Sequence, residues 1–278
     1  MTVGHFTWFF FFFFFVDDRK TAYEISLGLV GSEMCIRDIY SVEKYIRQSI
    51  ESVINQTYKD WELLIMDDCS KDSSYQIMEE YAAKDERIKI HRAEKNKGVV
   101  KVRNSLTQMA NGRYIAFLDS DDLWMNEKLE KQLLFMKKHD AKISCTEYTR
   151  VNETNDRIND IIVIERIKYS DLLKNNYLGC LTVIYDVSAI GKREFKERDK
   201  NEDYVLWLDI IKDVKIIYGL KEKLAMYRVL SNSRSSNKID AAKVRWEIYR
   251  KYEKLSLLKS MYYFTFYAVK AVTKNLKK

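Results

Sequence analysis

From residue 41 onward the apolar positions follow two alternating periods. Within Ser41–Thr57, Val42, Tyr45, Ile46, Ile50, Val53 and Ile54 recur at helical spacing, so one face of a helix is apolar. Trp61-Glu-Leu-Leu-Ile-Met66 is a short apolar run that reads as a strand and ends in Asp67-Asp68-Cys69-Ser70-Lys71-Asp72. Asp72 or a neighbouring serine can cap the next helix, which runs through Tyr75, Ile77, Met78 and Tyr81. Arg87–His91 alternates like a strand, Asn96-Lys97-Gly98 is a turn, and Val99–Met109 has helical spacing. Tyr114-Ile-Ala-Phe-Leu118 reads as a buried strand and runs straight into Asp119-Ser120-Asp121-Asp122. Glu127–Lys138 is expected to be a helix with Leu129, Leu133, Leu134 and Met136 toward the core.

Past residue 140 the pattern loosens. Lys142–Thr146, Ile161–Ile164 and Leu181–Tyr185 are strand candidates, and Asp171–Tyr177 a short helix. Tyr204–Ile211 reads as a helix buried on most of its surface, with Glu202-Asp203 at its start. The alternation of strands and helices predicts an α/β fold with a mainly parallel sheet. In such sheets ligands bind beyond the carboxyl ends of the strands. Asp67-Asp68 and Asp119-Ser120-Asp121 both lie at strand ends and are expected to face one crevice. Carboxylates at the end of a buried strand need a compensating cation. Mg2+ or Mn2+ would serve, because both take carboxylate oxygens and carry a phosphate on their open positions. His5, His91 and His139 do not cluster, which argues against a histidine metal site.

Composition narrows this picture. The 278 residues are 46% hydrophobic and 32% charged, as in a globular protein. Cys35, Cys69, Cys145 and Cys180 form no CxxC pair, which excludes a zinc ribbon or disulfide framework and fits a reducing compartment. The net charge of +7 is concentrated at the end of the chain. After Lys243 only Glu247 and Glu253 oppose Arg245, Arg250, Lys251, Lys254, Lys259, Lys270, Lys274, Lys277 and Lys278. A basic patch confined to an aromatic tail argues against nucleic acid as partner and for an anionic membrane surface. Met261–Val272 is aromatic and apolar but too short to span a bilayer, so an amphipathic interfacial helix is expected; a helix packed on the domain is the plain alternative.

The first residues stand apart. Phe9–Phe15 is a run of seven phenylalanines, too short for a transmembrane helix and without the flanks of a signal peptide. Lys20–Asp38 resembles translated sequencing-adaptor sequence. Residues 1–38 are therefore expected to be non-native or disordered, 39–237 to form the catalytic domain, and 238–278 to be a basic aromatic helical tail.

The motifs from Tyr40 to Asn237 together resemble family 2 glycosyltransferases, inverting enzymes of the GT-A fold. Tyr40-Ser-Val-Glu-Lys-Tyr-Ile46, Ser52-Val-Ile-Asn-Gln-Thr-Tyr58, Asp67-Asp68-Cys-Ser-Lys-Asp72, Asn96-Lys-Gly98 with Arg103-Asn104, Asp119-Ser-Asp121-Asp122 and Glu202-Asp203-Tyr-Val-Leu-Trp207 occur in family order. Ser41 stands where the family has Asn, Cys69 where it has Gly, and Val102 where it has Ala. The resemblance implies roles. Tyr40, Asp67, Asp68, Arg103, Asp119 and Ser120 would line the nucleotide-sugar site, with Asp68 and Arg103 at a uracil or other base and Asp119 near the ribose. Asp121 would bind Mn2+ or Mg2+ at the diphosphate, and Asp203 would be the base for the acceptor hydroxyl. Glu202 and Trp207 would accompany it, although Trp124 and Trp207 read first as core. Arg228 or Ser235, around the Ser231–Asn237 loop, would lie near the diphosphate.

The implied activity is transfer from a nucleotide-sugar, of UDP type, to a glycan or polyprenyl-linked acceptor in surface polysaccharide synthesis. It would take place in the cytoplasm, peripheral to the inner face of the membrane. The family's first strand is absent, which predicts poor activity for the chain as written. Two other readings compete: a haloacid-dehalogenase-like phosphotransferase, which also has an Asp-x-Asp strand end, and an inactive membrane-associated remnant.

Overall fold

A computed structural model of the protein describes residues 9–13, 33–37, 42–198, 200–230 and 238–276; Tyr40 and the Ser231–Asn237 loop lie outside these residues. Strands β1 (Phe9–Phe13) and β2 (Glu33–Arg37) come first. A single 3-10 turn then leads into α1 (Ile46–Ile54), β3 (Leu63–Asp67), α2 (Ser74–Ala82), β4 (Ile88–Arg92) and α3 (Val99–Met109). Next are β5 (Tyr114–Ala116), β6 (Leu123–Trp124), α4 (Lys128–His139), β7 (Ile143–Val151), β8 (Arg157–Ile161) and β9 (Arg166–Lys168). The chain continues through α5 (Tyr169–Lys174), β10 (Ile184–Asp186), α6 (Val187–Ile190), α7 (Glu202–Val214) and β11 (Ile216–Arg228). It closes with α8 (Lys238–Glu247), a π-helical turn (Ile248–Tyr252) and α9 (Leu257–Leu276).

The sheets are α/β in layering but more mixed than the strand–helix alternation predicts. One has the order β2-β1-β3-β4; the other runs β5-β10-β7-β11-β6, with β8 on β7 and β9 on β11. Among the described residues only β3–β4 and β7–β11 pair in parallel. A parallel pair needs a long crossover, which α2 supplies to β3–β4 and the stretch containing α7 supplies to β7–β11. Elsewhere the chain doubles back through irregular segments, and those pairs are antiparallel. The place beside β3 is taken by β1, antiparallel, with Phe10 opposite Asp67.

Alternation along the central strands builds two cores. Leu64, Met66, Ile115 and Phe117 face one with α3 and α7; Leu63, Ile65, Tyr114, Ala116 and Leu118 face the other with α1, α2 and α4. Phe117 meets Phe195 at 5.4 Å and Trp207 at 5.8 Å, both edge-on. On α4, Leu129, Leu133 and Met136 are buried as expected, whereas Leu134 is exposed because it lies one residue off the apolar stripe. Gly219 in β11 is required: a Cβ there would meet the Ile164 carbonyl oxygen at 2.2 Å.

The tail is joined to this body by its first half. Ile248 and Tyr249 are fully buried, and the Tyr249 hydroxyl donates to the Leu173 carbonyl at 2.5 Å. The Arg245 guanidinium stacks on Tyr204 at 3.8 Å and faces Tyr267 at 5.2 Å. Beyond it, α9 leaves Leu257, Leu258, Met261, Tyr262, Phe266 and Val269 exposed. No helix among the described residues is long and apolar enough to cross a membrane.

Candidate active site

The β3 end is held by its own carboxylates. Asp67 is buried, accepts from the Ser70 N–H at 2.8 Å and pairs with Arg92 at 3.0 Å. Asp68 is also buried and accepts from the Lys97 N–H at 2.7 Å and the Gly98 N–H at 2.8 Å, one on each oxygen. Burial raises both carboxyls above the usual range, against these hydrogen bonds. Asp68 thus ties the β3 end to the turn that starts α3, where Gly98 has φ +80°. Cys69 has φ +67°, a left-handed conformation that explains why glycine is usual there. Its Sγ–H donates to the Ala93 carbonyl.

From that turn α3 carries Arg103 into the centre of the site. The guanidinium is 3% exposed, so it needs partners, and Glu202 and Asp119 are among them. Nη1 donates to Glu202 Oε1 at 2.8 Å and Nη2 lies 3.4 Å from Asp119 Oδ1. Its carbon lies 5.0 Å from the Phe195 ring. Arg103 therefore joins the β5 end to the first turn of α7, across 16 and 99 residues of chain. Asp203, next to Glu202, accepts from the Tyr204 N–H at 2.7 Å. Burial first, then the Glu202 charge, push its carboxyl up to about 6, while Arg103 opposes the rise.

The far end of the acidic turn is fixed differently. Ser120 and Asp122 are fully buried, and the Ser49 hydroxyl contacts their carbonyls at 2.6 and 2.7 Å. Asp122 Oδ1 accepts from the Arg228 N–H at 2.8 Å. The buried Arg228 side chain donates to Gln48 at 2.8 Å and Asn155 at 2.6 Å and stacks on Tyr45 at 4.2 Å. Asp122 Oδ2 has no hydrogen-bond partner among the described residues, and burial together with Asp121 and Asp119 holds this carboxyl well above the usual range.

An unused buried oxygen among crowded carboxylates fits a divalent cation. Among the described residues no group of three or more His, Cys, Asp or Glu is placed to hold a metal ion by itself.

Of the residues singled out in the sequence, Arg103, Asp119, Glu202 and Asp203 come together; Asp121 and Arg228 lie at the adjoining end of the acidic turn. Asp67 and Asp68 reach the cluster indirectly, through α3. Trp207 is fully buried and belongs to the aromatic core. Sequence reasoning missed Asp122 as the anchor of Arg228, Phe195 beneath Arg103, and Gln48 and Asn155 beside Arg228. Only Asp122 had a signal, its place in the acidic run.

Sheets flanked by helices, with an acidic strand end bridged to a second acid pair by a buried arginine, fit a glycosyltransferase of the GT-A type. Residues 36–198 match the glycosyl transferase family 2 profile, and the chain belongs to that family. A Bacillus subtilis protein assigned by name to teichuronic acid biosynthesis, TuaG, is 40% identical over 238 residues, which is 85% of this chain and 94% of that protein. WfgD of Escherichia coli, a UDP-Glc:α-D-GlcNAc-diphosphoundecaprenol β-1,3-glucosyltransferase, is 37% identical over 237 residues, 85% of this chain and 92% of that one. Among solved structures, S. aureus TarS 1–349 with UDP-GlcNAc has a TM-score of 0.59 at 22% identity, covering 75% of this chain and 62% of TarS. The Pyrobaculum calidifontis mannosyltransferase PcManGT, solved with GDP-Man and Mn2+, has a TM-score of 0.60 at 11% identity, covering 82% of this chain and 67% of that one. These two similarities show the fold. The phosphotransferase reading is set aside by the family match.

Proposed function

We propose that the protein transfers a sugar from a uridine diphosphate sugar, with inversion, to an acceptor carried on a polyprenyl diphosphate, in surface polysaccharide synthesis. The observation that carries this is the Arg103 bridge, which puts the acidic strand end and Asp203 in one site. The donor and acceptor classes are supported by the similarity to WfgD. Asp203, with its carboxyl near 6, is ionised at neutral pH yet more basic than an ordinary aspartate, as a general base should be. It would take the proton of the acceptor hydroxyl as that oxygen bonds to the anomeric carbon from the face opposite the leaving diphosphate. The bond to the diphosphate breaks and the electron pair leaves with it. Asp121, with Asp119 or Asp122 beside it, would hold Mn2+ or Mg2+. When bound, the cation supplies charge neutralisation for the leaving diphosphate. Asp68 and Arg103 would frame the nucleoside, with Tyr40, Asp67 and Ser120 around it.

The exposed face of α9 supports a peripheral place on an anionic membrane, on the cytoplasmic side. Leu258, Met261, Tyr262, Phe266 and Val269 fall on one stripe, and Lys254–Lys278 carries six lysines and no acid. The chemistry is tested with the purified full chain, UDP-sugars, Mn2+ and a polyprenyl-diphosphate-linked sugar. Glycosylated lipid and UDP are expected; phosphomonoester hydrolysis without nucleotide-sugar turnover overturns the reading. Cosedimentation with phosphatidylglycerol vesicles is expected, and should be lost in Leu258→Asp/Met261→Asp. Equal sedimentation of wild type and variant overturns the membrane face.

A further inference from the structure

Tyr148 has no part in the chemistry described so far, yet the fold carries it to the reacting centre. In β7 it lies opposite Ala225 of β11, and Ala225 lies opposite Trp124 of β6, two residues past Asp122. Neighbouring strands are about 4.8 Å apart, so two steps across the sheet bring Tyr148 to the acidic turn. Its ring packs against the core on the α1 and α4 side, which contains Trp124 and Leu181, and meets the Tyr227 ring at 6.3 Å. Gly179 makes room for it. A Cβ on that residue would meet Tyr148 Cε1 at 3.1 Å and Cζ, the carbon that bears the hydroxyl, at 3.3 Å. Thr182 fixes the glycine, donating to its carbonyl from the N–H at 2.9 Å and from the hydroxyl at 2.7 Å. Trp124 Nε1 donates to the Leu181 carbonyl at 2.8 Å and so ties this turn to the end of the acidic run. The next residue, Cys180, belongs to the other core with Phe195, the ring beneath Arg103, and Tyr204, the neighbour of Asp203. Tyr148 and Gly179 therefore stand between the acidic turn and the base.

The ring is held, but the hydroxyl is not. Tyr148 is half-buried, and among the described residues its hydroxyl has no hydrogen-bond partner. Burial pushes the phenol up to about 12; Arg150 opposes the rise, and Asp122 and Asp203 both add to it. The group is thus protonated at neutral pH, able to donate one hydrogen bond and accept others. A packed ring with an unengaged hydroxyl gives up little freedom when a ligand takes that hydrogen bond. In the reaction proposed above, the leaving diphosphate lies at Asp121 and the anomeric carbon faces Asp203. What fills the space between them is the sugar in transfer.

We infer that the Tyr148 hydroxyl hydrogen-bonds a hydroxyl of the transferred sugar, so that this residue reads the donor's sugar and not its nucleotide. This inference rests on the proposed donor class. Tyr148→Phe keeps the ring over Gly179 and removes only the hydroxyl. It should lower kcat/KM for UDP-glucose at least fivefold and change the Kd of UDP, measured by calorimetry, less than twofold. The decisive readout is a cycle with the monodeoxy analogues of UDP-glucose. One analogue should cost the wild type at least fivefold in kcat/KM and cost Tyr148→Phe less than twofold, because the bond it deletes is already gone. Losses that multiply independently for every analogue, an unchanged kcat/KM for UDP-glucose, or an equal loss of UDP affinity overturns the inference. If the wild type turns over no UDP-sugar, the donor class fails, and the same cycle with the nucleotide-sugar it does use decides Tyr148. Turnover of no nucleotide-sugar sinks both.

Discussion

Replacing Arg103 with methionine removes a cation that touches both Asp119 and Glu202, while keeping most of the side chain's apolar stem. The guanidinium is 3% exposed and contacts the two carboxylates at 2.8 and 3.4 Å, so its loss leaves buried charge uncompensated. Taking one partner from a buried ion pair typically costs about 3–5 kcal/mol. At roughly 2–4 °C per kcal/mol for a domain of this size, the melting temperature should fall by roughly 6–20 °C. The loss should also depend on pH. The folded-state pKa of Asp203 is raised from 3.8 to about 6, so its stabilising contribution is complete below 3.8 and lost as pH rises through about 6. Arg103 opposes that rise, so in its absence the loss extends to higher pH. Thermal melts of wild type and Arg103→Met at pH 5 and pH 8 read both effects, with the larger deficit expected at pH 8. A deficit below 1 kcal/mol, or one equal at the two pH values, would refute the bridge as described.

Glu202→Gln removes the second-largest cause of the raised Asp203 carboxyl, after burial, so the acid limb of the kcat–pH profile should move to lower pH by up to about one unit; an unmoved limb contradicts this. Lys128 is fully buried and donates to Gln132 Oε1, and burial lowers it to about 7. Its penalty is full below pH 7 and is relieved toward 10.5, so Lys128→Met should stabilise by about 1–3 kcal/mol at pH 6.5 and by less at pH 9. Chemical denaturation at both pH values checks this, and destabilisation at pH 6.5 would count against it. Gly219→Ala drives a methyl into the Ile164 carbonyl and should cost about 1–3 kcal/mol by urea unfolding; a neutral result would mean that the segment between β8 and β9 can move aside. Replacing residues 1–38 with a family-like first strand should raise turnover under the assay conditions above, and equal turnover would refute the expectation of poor activity.

The first half of the chain was legible because its elements are local. Val99–Met109 is the helix expected, and the strand after Trp61 ends at Asp67, whereas the strand from Tyr114 stops at Ala116, short of Asp119. Pairing partners were not legible. The pattern of β7 does not announce that it lies parallel to β11 and antiparallel to β10. Strand β11 itself, broken by Lys221-Glu222-Lys223, gave almost no periodic signal because those residues are exposed where the register shifts. The site residues were found as motif members. That Arg103 joins Asp119 to Glu202 needed coordinates, since no local pattern encodes a contact across 99 residues. The pattern gives residues 240–259 only as a helix of mixed charge; it does not show the burial of Ile248 and Tyr249, which depends on α5 being there to receive them.

That separation along the chain has a kinetic consequence. The contacts that shape the acidic turn reach from Asp122 to Arg228 and from Gln48 to Arg228, across 106 and 180 residues. Long loops must close before such contacts give any return, so they form late in folding. During synthesis the β5 end and its three aspartates emerge well before Glu202, Asp203 or Arg228 can meet them. A nascent chain would thus carry the acidic turn before Glu202, Asp203 and Arg228 are there to shape it.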